Sequence, residues 1–496
     1  MEHLIALDIG TQGIKGMLFD RSLNPVRSAF EASRLISPAP GTIWQEPDDL
    51  FGSAVRVVRE LLDGFSGEIA ALAVDSQMAG IMGVGPDGEA TTPYDSWLDT
   101  RCAAEADEMR ALAGREITEI TGGPVTTTHG PKILWWKRNH PKAFERTAAF
   151  VLPAGYVVGK MAEFGGEAFF DYTGLQYSGF GDNRNKCWSD ELLGRFDIPK
   201  DKMARIVSPF EVVGRVGKTF SALTGLREGV PIAAGAGDTA CSIFGTGGLE
   251  VGMLLDCAGS ASVLCGLTDH YAPDVDCQTV TMMRSPEDGI YYPLAYVNGG
   301  GLTLRWLRDH FSGGKSYAEL EGEAWDLPPG SEGLIFTPHF AGRVLPSDAR
   351  ARGSFFGLDL RHRPAHLFRA EMEGIAYEYA YYRSVLRALY PELTFDRMIS
   401  VGGGAKSELF LKIKADVLGI STLSYESGDS ALIGGAVIAG RSVGLFGDDY
   451  RSLIDRLSEK QFEIAADRAN HEAYRAYAAA YLEAVEAAGA ICAKLP

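Results

Sequence analysis

Short apolar runs alternate with glycine-rich turns and longer amphipathic stretches along most of this chain. The first two apolar runs, 4–9 and 14–19, are separated by Gly10-Thr11-Gln12-Gly13. Runs of this kind predict two buried strands that are joined by a tight turn. A helix near Asp48 to Leu62 and a strand at Ile69 to Val74 are predicted next. Strands that alternate with helices indicate an α/β fold.

The strand, turn and strand pattern occurs a second time in the chain. The second copy spans 253–269 and has Gly259-Ser260 in its turn. Aligning this pair with Gly10-Thr11 sets Asp8 against Cys257, so the two copies share a backbone pattern but not a charge. We therefore predict two similar halves, of which only the first carries the carboxylate.

The length of 496 residues exceeds what one hydrophobic core usually supports. We predict two domains, 1–245 and 246–496. The middle of the first, from Thr121 to Gly181, is rich in Gly, Thr and aromatic residues and predicts loops and short strands that decorate the domain. Helices dominate the second domain, and they are predicted at Ala365 to Leu389, Ser407 to Leu418, Asp429 to Val443, and Asp467 to Ala488.

The charge balance excludes several classes of partner. Lys plus Arg is 47 and Asp plus Glu is 65, which gives a net charge of −18. Such an acidic chain is a poor ligand for nucleic acid or for an anionic membrane. The seven cysteines include no C-x-x-C pair and are expected to be reduced thiols. No apolar run approaches the roughly 20 residues of a membrane span, so we expect a cytoplasmic enzyme.

The first turn brings together the groups that bind a phosphate chain. Asp8, Thr11 and Lys15 supply a carboxylate, a hydroxyl and a cation, and the turn itself supplies backbone N–H groups. Together these groups suit a nucleotide and its Mg²⁺. The alternative is an ordinary hairpin whose Asp and Thr satisfy local turn bonds.

A further glycine-rich segment, 400–407, follows a predicted strand at Arg397 to Val401 and opens a helix. Backbone at such a junction can approach a flat or anionic ligand closely. The segment is not a Walker A loop, because Ser400 and Ala405 stand where that motif requires glycine.

Another small-residue strand, 231–237, ends at Asp238 and passes into a helix. An Asp in this position is most often an N-cap. The succession of small residues Gly235, Ala236 and Gly237 instead indicates that another backbone or a ligand comes close to this strand. The Asp238 carboxylate would then lie at a strand end that opens into a cleft.

These elements, in this order, resemble the FGGY carbohydrate-kinase family, whose members use ATP to phosphorylate sugars and polyols. Two more segments strengthen the resemblance: 357–376 is similar to the family's C-terminal signature, and 431–436 is similar to the helix that closes over the nucleotide. The resemblance runs nearly end to end. It implies two actin-like (ribonuclease H-like) α/β domains that flank a cleft, with sugar-binding insertions in the first and nucleotide-binding elements in the second.

The resemblance also implies roles for individual residues. Asp238 is expected to be the catalytic base and to contact the sugar, and Asp8 is expected to hold Mg²⁺ through water. Gly403 and Gly404 would flank the adenine or ribose. The residues implied around the ATP phosphates are Gly10, Thr11, Gln12, Gly13 and Lys15 from the first domain and Gly259 and Ser260 from the second.

The family's sugar-binding positions correspond here to Gln77, Met78, Trp97, Asp99 and Arg101. Polar groups beside an indole suit a polyhydroxylated ligand, although Trp97 alone is equally consistent with core packing. The segment is most similar to the xylulokinase branch, which carries His where this chain has Ala79.

The sequence therefore predicts ATP-dependent phosphorylation of a small sugar or polyol, with a ketopentose such as xylulose first. Ribulose, a tetritol, glycerol and gluconate are the alternatives within the family. From another class, an actin- or chaperone-like ATPase switch with a protein partner is the alternative. A homodimer is left open.

Overall fold

The computed structural model describes residues 2–164, 168–340, 342–426, 429–447, 450–457 and 459–494. The chain forms two compact units. The first comprises Met1–Gly247, Met282–Ile290 and Ser427–Ser458, and the second comprises Gly248–Thr281, Tyr291–Glu426 and Glu459–Pro496. Ser427–Ser458 thus belongs to the first unit, although it follows the predicted boundary at 245 in the sequence.

Strands occur in both units, some in consecutive groups and others between helices. They are β1 (Glu2–Ile9), β2 (Gly13–Asp20), β3 (Pro25–Ala32), β4 (Ile36–Ala39), β5 (Thr42–Gln45), β6 (Glu68–Ser76), β7 (Met82–Val84), β8 (Tyr94–Asp95), β9 (Ala149–Val151), β10 (Phe169–Asp171), β11 (Gly181–Asp182), β12 (Cys187–Trp188), β13 (Arg205–Val207), β14 (Val212–Arg215), β15 (Pro231–Ala233), β16 (Leu254–Ala258), β17 (Ser262–Gly266), β18 (Thr281–Arg284), β19 (Tyr291–Val297), β20 (Ile335–Thr337), β21 (Ser354–Phe356), β22 (Arg397–Val401), β23 (Ser421–Glu426) and β24 (Glu459–Ile464).

The helices pack on the sheets that these strands form. They are α1 (Pro47–Leu62), α2 (Ala103–Thr121), α3 (His129–Asn139), α4 (Pro141–Arg146), α5 (Pro153–Ala162), α6 (Asp190–Arg195), α7 (Lys218–Thr224), α8 (Asp238–Phe244), α9 (Gly300–Phe311), α10 (Tyr317–Ala324), α11 (Pro364–Leu389), α12 (Glu408–Leu418), α13 (Ser430–Ser442), α14 (Tyr450–Asp455) and α15 (Arg468–Cys492). In the part of the chain that the structure describes, no helix is long and apolar enough to cross a membrane.

The main sheet of the first unit has the strand order β14-β15-β6-β1-β2-β3. The strands β1, β2 and β3 form an antiparallel meander, and β6 runs parallel to β1. Helix α1 covers one face, where Val57 packs against Leu7 and Gly16. Helix α13 covers the other face, where Gly435 lies against Ala6. The core of this unit therefore lies in two layers, one on each side of the sheet.

The second unit repeats this arrangement. Its sheet contains the order β19-β17-β16-β22-β23, with β16, β17 and β19 antiparallel and β22 and β23 parallel to β16. The corresponding strands of the first unit are β3-β2-β1-β6-β15. The prediction of two similar halves is confirmed.

The predicted helices and the two hairpins are confirmed with small shifts of their ends, but one regional prediction is wrong. The segment from Thr121 to Gly181 was expected to be loops and short strands, and it contains the helices α3, α4 and α5. Pro141 and Pro153 each occupy the first turn of a helix, where proline is tolerated. Buried residues such as Ile133 and Val157 supply the apolar faces that the Gly-rich composition obscured.

Candidate active site

The turn between β1 and β2 is closed by backbone contacts and requires glycine. The Gly10 N–H donates to the Gly13 carbonyl at 3.0 Å. A Cβ on Gly13 would lie 2.4 Å from the Phe30 ring and 2.5 Å from the Glu31 carbonyl oxygen. Because β3 approaches so closely, a side chain at position 13 has no room.

Two carboxylates and a lysine stand in a row across three neighbouring strands. Asp8 on β1 is in register with Lys15 on β2 and with Asp75 on β6, so the three side chains project from one face. Burial raises the pKa of Asp8, and it raises the pKa of Asp75 well above its usual range, where the charge of Asp8 adds to the effect. One Asp8 oxygen and both Asp75 oxygens are buried without a hydrogen-bond partner.

Asp75 was not predicted as a site residue. The sequence signal is a lone carboxylate near the end of the apolar run Ile69 to Val74, where the strand meets the sheet edge that carries Asp8. A charged residue in a buried strand is uncommon unless it is paired or functional.

The orphaned oxygens of Asp8 and Asp75 fit a divalent cation, because carboxylates are the ligands that Mg²⁺ prefers. Within the described ranges, no group of three or more His, Cys, Asp or Glu side chains is arranged to hold a metal ion. A cation at Asp8 would therefore keep most of its water or take oxygens from a phosphate, as Mg²⁺ usually does.

Lys15 has a second anionic neighbour, since its ammonium contacts the Asp429 carboxylate just before α13. The two side chains are 37% and 38% exposed. Asp429 makes no capping bond to the helix that follows it. An anionic ligand at Lys15 would therefore compete with Asp429 for the same ammonium group. Gln12 lies exposed at the tip of the turn.

Asp238 opens α8 after a tightly packed strand end. Gly235 has φ +72°, and a Cβ there would lie 1.9 Å from the Val74 carbonyl oxygen, so only glycine lets β15 approach β6 this closely. The Asp238 carboxylate accepts a bond from the Thr239 N–H at 2.6 Å. Burial and the charge of Asp8 raise the pKa of Asp238 to about 7. A carboxylate with this pKa is matched to general-base work near neutral pH.

The segments expected to bind the sugar are connected by hydrogen bonds to the turn between β1 and β2. The Trp97 indole N–H donates to Thr11 Oγ1 at 3.0 Å, and the Thr11 hydroxyl donates to Gln77 Oε1 at 3.0 Å. Gln77 Nε2 in turn donates to Gln45 Oε1 at 2.8 Å. Gln77 is buried, whereas Trp97 is 44% exposed. The neighbouring Met78 carbonyl accepts a bond from the buried ring of His129, 2.8 Å away.

Asp99 and Arg101 belong to a buried network of charges. Arg101 donates to Asp99 at 2.8 Å and to Asp95 at 2.6 Å, and its guanidinium lies 4.4 Å from the centre of the Trp135 ring. The buried Lys132 ammonium donates to the Asp99 carbonyl at 2.6 Å. Burial raises the pKa of Asp95 to about 6. Each cation of this network thus has an anionic or carbonyl partner.

The second unit contains a cavity of about 590 Å³. The turn after β16 and the glycine turn after β22 both reach it, so Gly259, Ser260, Gly403 and Gly404 line the same cavity. The Gly301 N–H donates to the Gly259 carbonyl at 3.0 Å and anchors the first turn to α9. The other lining residues are Ala258, Gly301, Leu304, Arg305, Tyr317, Glu321, Phe368, Met372, Lys406, Ser407 and Phe410.

The apolar walls of this cavity, among them Leu304, Phe368, Met372 and Phe410, suit a flat ring. Sequence reasoning singled out the two glycine turns and missed Leu304 and Phe410. Both project from helices that directly follow a turn, α9 and α12, and the apolar spacing of those helices is the only signal for them.

The chain is similar over nearly its whole length to proteins of known activity. It is 26% identical over 471 residues to the xylulose kinase of Bacillus subtilis, with 94% of this chain and 92% of that protein covered. It is 24% identical over 451 residues to the gluconokinase of the same species, with 88% and 86% covered. The crystal structure of a ligand-bound xylulose kinase from Lactobacillus acidophilus superposes with a TM-score of 0.91 at 23% identity and covers 98% of each chain.

Two family models match consecutive parts of the sequence. The N-terminal domain of the FGGY family of carbohydrate kinases matches residues 3–245, and the C-terminal domain of that family matches residues 257–443. The two units accordingly have the expected actin-like α/β fold. Because these matches span most of the chain, this protein belongs to the FGGY family of carbohydrate kinases.

Proposed function

We propose that this carbohydrate kinase transfers the γ-phosphoryl group of ATP to a hydroxyl of a small uncharged sugar or polyol, with the ketopentose D-xylulose as the leading acceptor. The observation that carries the proposal is the position of Asp238, which begins α8 directly after Gly237, where Gly237 pairs with Ser76 at the end of the strand that carries Asp75. Burial and the charge of Asp8 raise the pKa of this carboxylate to about 7, which suits a general base. It stands in the same unit as the turn that carries Asp8 and Lys15.

In this proposal Asp238 takes the proton from the attacking hydroxyl of the acceptor as its oxygen bonds to the γ-phosphorus in line with the leaving oxygen. The Thr239 N–H holds the Asp238 carboxylate in place. The Thr11 hydroxyl and the backbone N–H groups of Gln12 and Gly13 would surround the β- and γ-phosphates in the turn that the Gly10 N–H closes, and Lys15 would neutralise their charge.

Asp8 would hold the Mg²⁺ that accompanies ATP, with Asp75 beside it. When bound, this cation draws charge from the phosphate oxygens. The two carboxylates are protonated more readily than free aspartates, because they are buried together. A cation would replace the proton that such a pair retains.

The nucleotide base would occupy the cavity of the second unit. Gly403 and Gly404 let the ligand approach the backbone, and Phe368 and Phe410 supply ring surfaces. Gly259 and Ser260 offer backbone N–H groups and a hydroxyl, which suit phosphate or ribose oxygens.

The charges near the sugar segments favour an uncharged acceptor over a sugar acid. Arg101 is neutralised by Asp95 and Asp99, and Lys132 is bonded to Asp99. A carboxylate such as that of gluconate would have to break these buried pairs, which costs several kcal/mol. Xylulose, ribulose, a tetritol and glycerol carry no charge.

A coupled ADP-release assay over D-xylulose, D-ribulose, erythritol, glycerol and gluconate tests this function. We expect D-xylulose or another uncharged acceptor to raise ADP release well above the rate without acceptor, and gluconate to have little effect. Preference for gluconate would contradict the charge argument. Hydrolysis that no sugar accelerates would instead support an ATPase switch.

A further inference from the structure

A continuous series of hydrogen bonds starts at the exposed ring of Trp97, which is expected to contact the acceptor. It passes through Thr11 in the turn between β1 and β2, called the loop below, which is expected to bind the phosphates. It runs from Trp97 through Thr11 to Gln77 and Gln45, and each of its bonds is between 2.8 and 3.0 Å long. Trp97 and Thr11 are 86 residues apart in sequence. The contact therefore depends on the tertiary fold of the first unit and not on local turn geometry.

The two ends of this series of hydrogen bonds differ in their exposure to solvent. Trp97 is 44% exposed, so a large part of its indole remains available for the C–H face of a sugar. Gln77 and Gln45 are each 1% exposed, and their buried side-chain amides are hydrogen-bonded to each other beside the loop. Thr11 lies between the exposed indole ring of Trp97 and the buried amide of Gln77.

The Thr11 hydroxyl has a single proton, and that proton is directed to Gln77. Its oxygen also accepts the indole proton of Trp97. The orientation of Thr11 is therefore set by two partners outside the loop, one buried and one exposed. A ligand that fixes the Trp97 ring also fixes one of these two partners.

We propose that Trp97 is a positioning residue that couples acceptor binding to the phosphate loop through the hydrogen bond from its indole to Thr11. This coupling rests on the proposed function, since it requires both an acceptor at Trp97 and a nucleotide phosphate at the loop. An acceptor on the ring holds the indole, the indole holds Thr11, and the loop is ordered before the phosphate arrives. Linkage requires the effect to be reciprocal, so bound nucleotide strengthens acceptor binding by the same factor.

The test is the ratio of acceptor dissociation constants measured by calorimetry without and with the non-hydrolysable analogue Mg·AMP-PNP. The probe is the acceptor with the highest kcat/KM in the ADP-release assay, which is D-xylulose if the proposed function is right. Trp97→Phe keeps an aromatic face and removes the N–H group. Thr11→Val removes the hydroxyl, and Thr11→Ser retains it.

We expect the ratio in Trp97→Phe to fall by about 2- to 12-fold, the range that corresponds to one net hydrogen bond. Thr11→Val should lower it by a similar factor, Thr11→Ser should preserve it, and Trp97→Phe combined with Thr11→Val should lower it no further than either change alone. Trp44→Phe is the matched control, because the Trp44 indole donates to Glu46 at 2.9 Å and not to the loop. It should keep the parental ratio.

A purely structural role for Trp97 would lower the melting temperature and leave the ratio unchanged, and that result would overturn the coupling. Losses that multiply in the double variant would overturn it as well, because they would show that the two groups act independently. An absence of acceptor-stimulated ADP release in the parent protein would contradict the proposed function itself, and the coupling would fall with it.

Discussion

Asp8 and Asp75 lie opposite each other on neighbouring parallel strands, and three of their four carboxylate oxygens are buried without a hydrogen-bond partner. At the aligned positions of the second unit, Cys257 lies opposite Val401. The two halves therefore share a fold and differ in this pair of side chains. A site for a divalent cation is expected in the first half only.

Asp8→Ala should impair the use of Mg·ATP while acceptor binding stays largely intact, because this carboxylate acts through the cation. We expect a higher KM for Mg·ATP and a lower kcat, and calorimetry with the acceptor alone should give the parental affinity. Asp20→Ala is a suitable control, since Asp20 lies at the other end of the hairpin and bonds to Asn24. Lost acceptor affinity with normal Mg·ATP binding would contradict the role of Asp8.

Asp238→Asn should fold and bind ATP normally but lose turnover, because the amide has nearly the same shape and cannot accept the proton. Removal of a general base commonly lowers kcat by about 10²- to 10⁴-fold. Steady-state kinetics with the best acceptor measure the loss of turnover, and calorimetry measures whether nucleotide binding is unchanged. Near-parental kcat would show that another group is the base.

The pH dependence of the reaction should reflect the raised pKa of Asp238, which is about 7. The base works only when it is ionised, so kcat/KM for the acceptor should decrease about tenfold for each pH unit below the pKa of Asp238, which a cation at Asp8 would bring below 7 because it cancels the charge of that carboxylate. Rates measured from about pH 5 to 9 would reveal this acidic limb, and the residual activity of Asp238→Asn should lack it. An acidic limb that persists unchanged in Asp238→Asn would contradict Asp238 as the base.

Ala79→His should increase activity on D-xylulose relative to the other acceptors. Ala79 precedes Gly80, which packs against Tyr94, and it stands where the xylulokinase branch carries an imidazole. A polar partner for a substrate hydroxyl can change kcat/KM by orders of magnitude. The comparison of kcat/KM across the panel for the parent and the variant measures the effect. A variant whose kcat/KM for D-xylulose does not rise relative to the other acceptors would contradict a substrate contact at position 79.

Lys414→Met should destabilise the second unit. Lys414 and Asp256 are both fully buried and form an ion pair, and Tyr379 also donates to Asp256 at 2.8 Å. Loss of the lysine leaves a buried carboxylate without its counter-charge, which costs about 3–5 kcal/mol of unfolding free energy. Chemical denaturation measures this loss.

The control for this prediction is Lys315→Met, which removes a surface partner of Glu323 and should cost only about 0–1 kcal/mol. Asp256→Asn combined with Lys414→Met should recover part of the lost stability, since no uncompensated charge then remains. Parental stability of Lys414→Met alone would mean that Asp256 is neutral in the folded protein.

The sequence pattern was sufficient for the hairpins, the long helices and the glycine turns, because those features depend on neighbours in the chain. The repeated order of strands also follows from the two matching hairpins. Gly259 and Gly403, far apart in sequence, could be assigned to one nucleotide site only through the family resemblance. The structure now places both on one cavity.

Partners that are distant in sequence could not be predicted. The carboxylate at Lys15 comes from Asp429, 414 residues away. The Arg101 guanidinium lies against the ring of Trp135, which belongs to a helix that the Gly-rich composition concealed. Neither contact has a local pattern, since each exists only after the sheet and its helices have packed.

Helix α13 is synthesised long after the strands of the first unit on which it packs. It packs on β1, β6 and α8, where a Cβ on Gly435 would lie 3.1 Å from Ala6 and 3.4 Å from Asp75, yet in the sequence it comes after β23 of the second unit. The face of the sheet that carries Asp8 therefore stays without this helix on the ribosome until Ser430–Ser442 has emerged. A fragment that ends at Gly247 would lack this cover, so cutting the gene between the two units would not yield two independent folding modules.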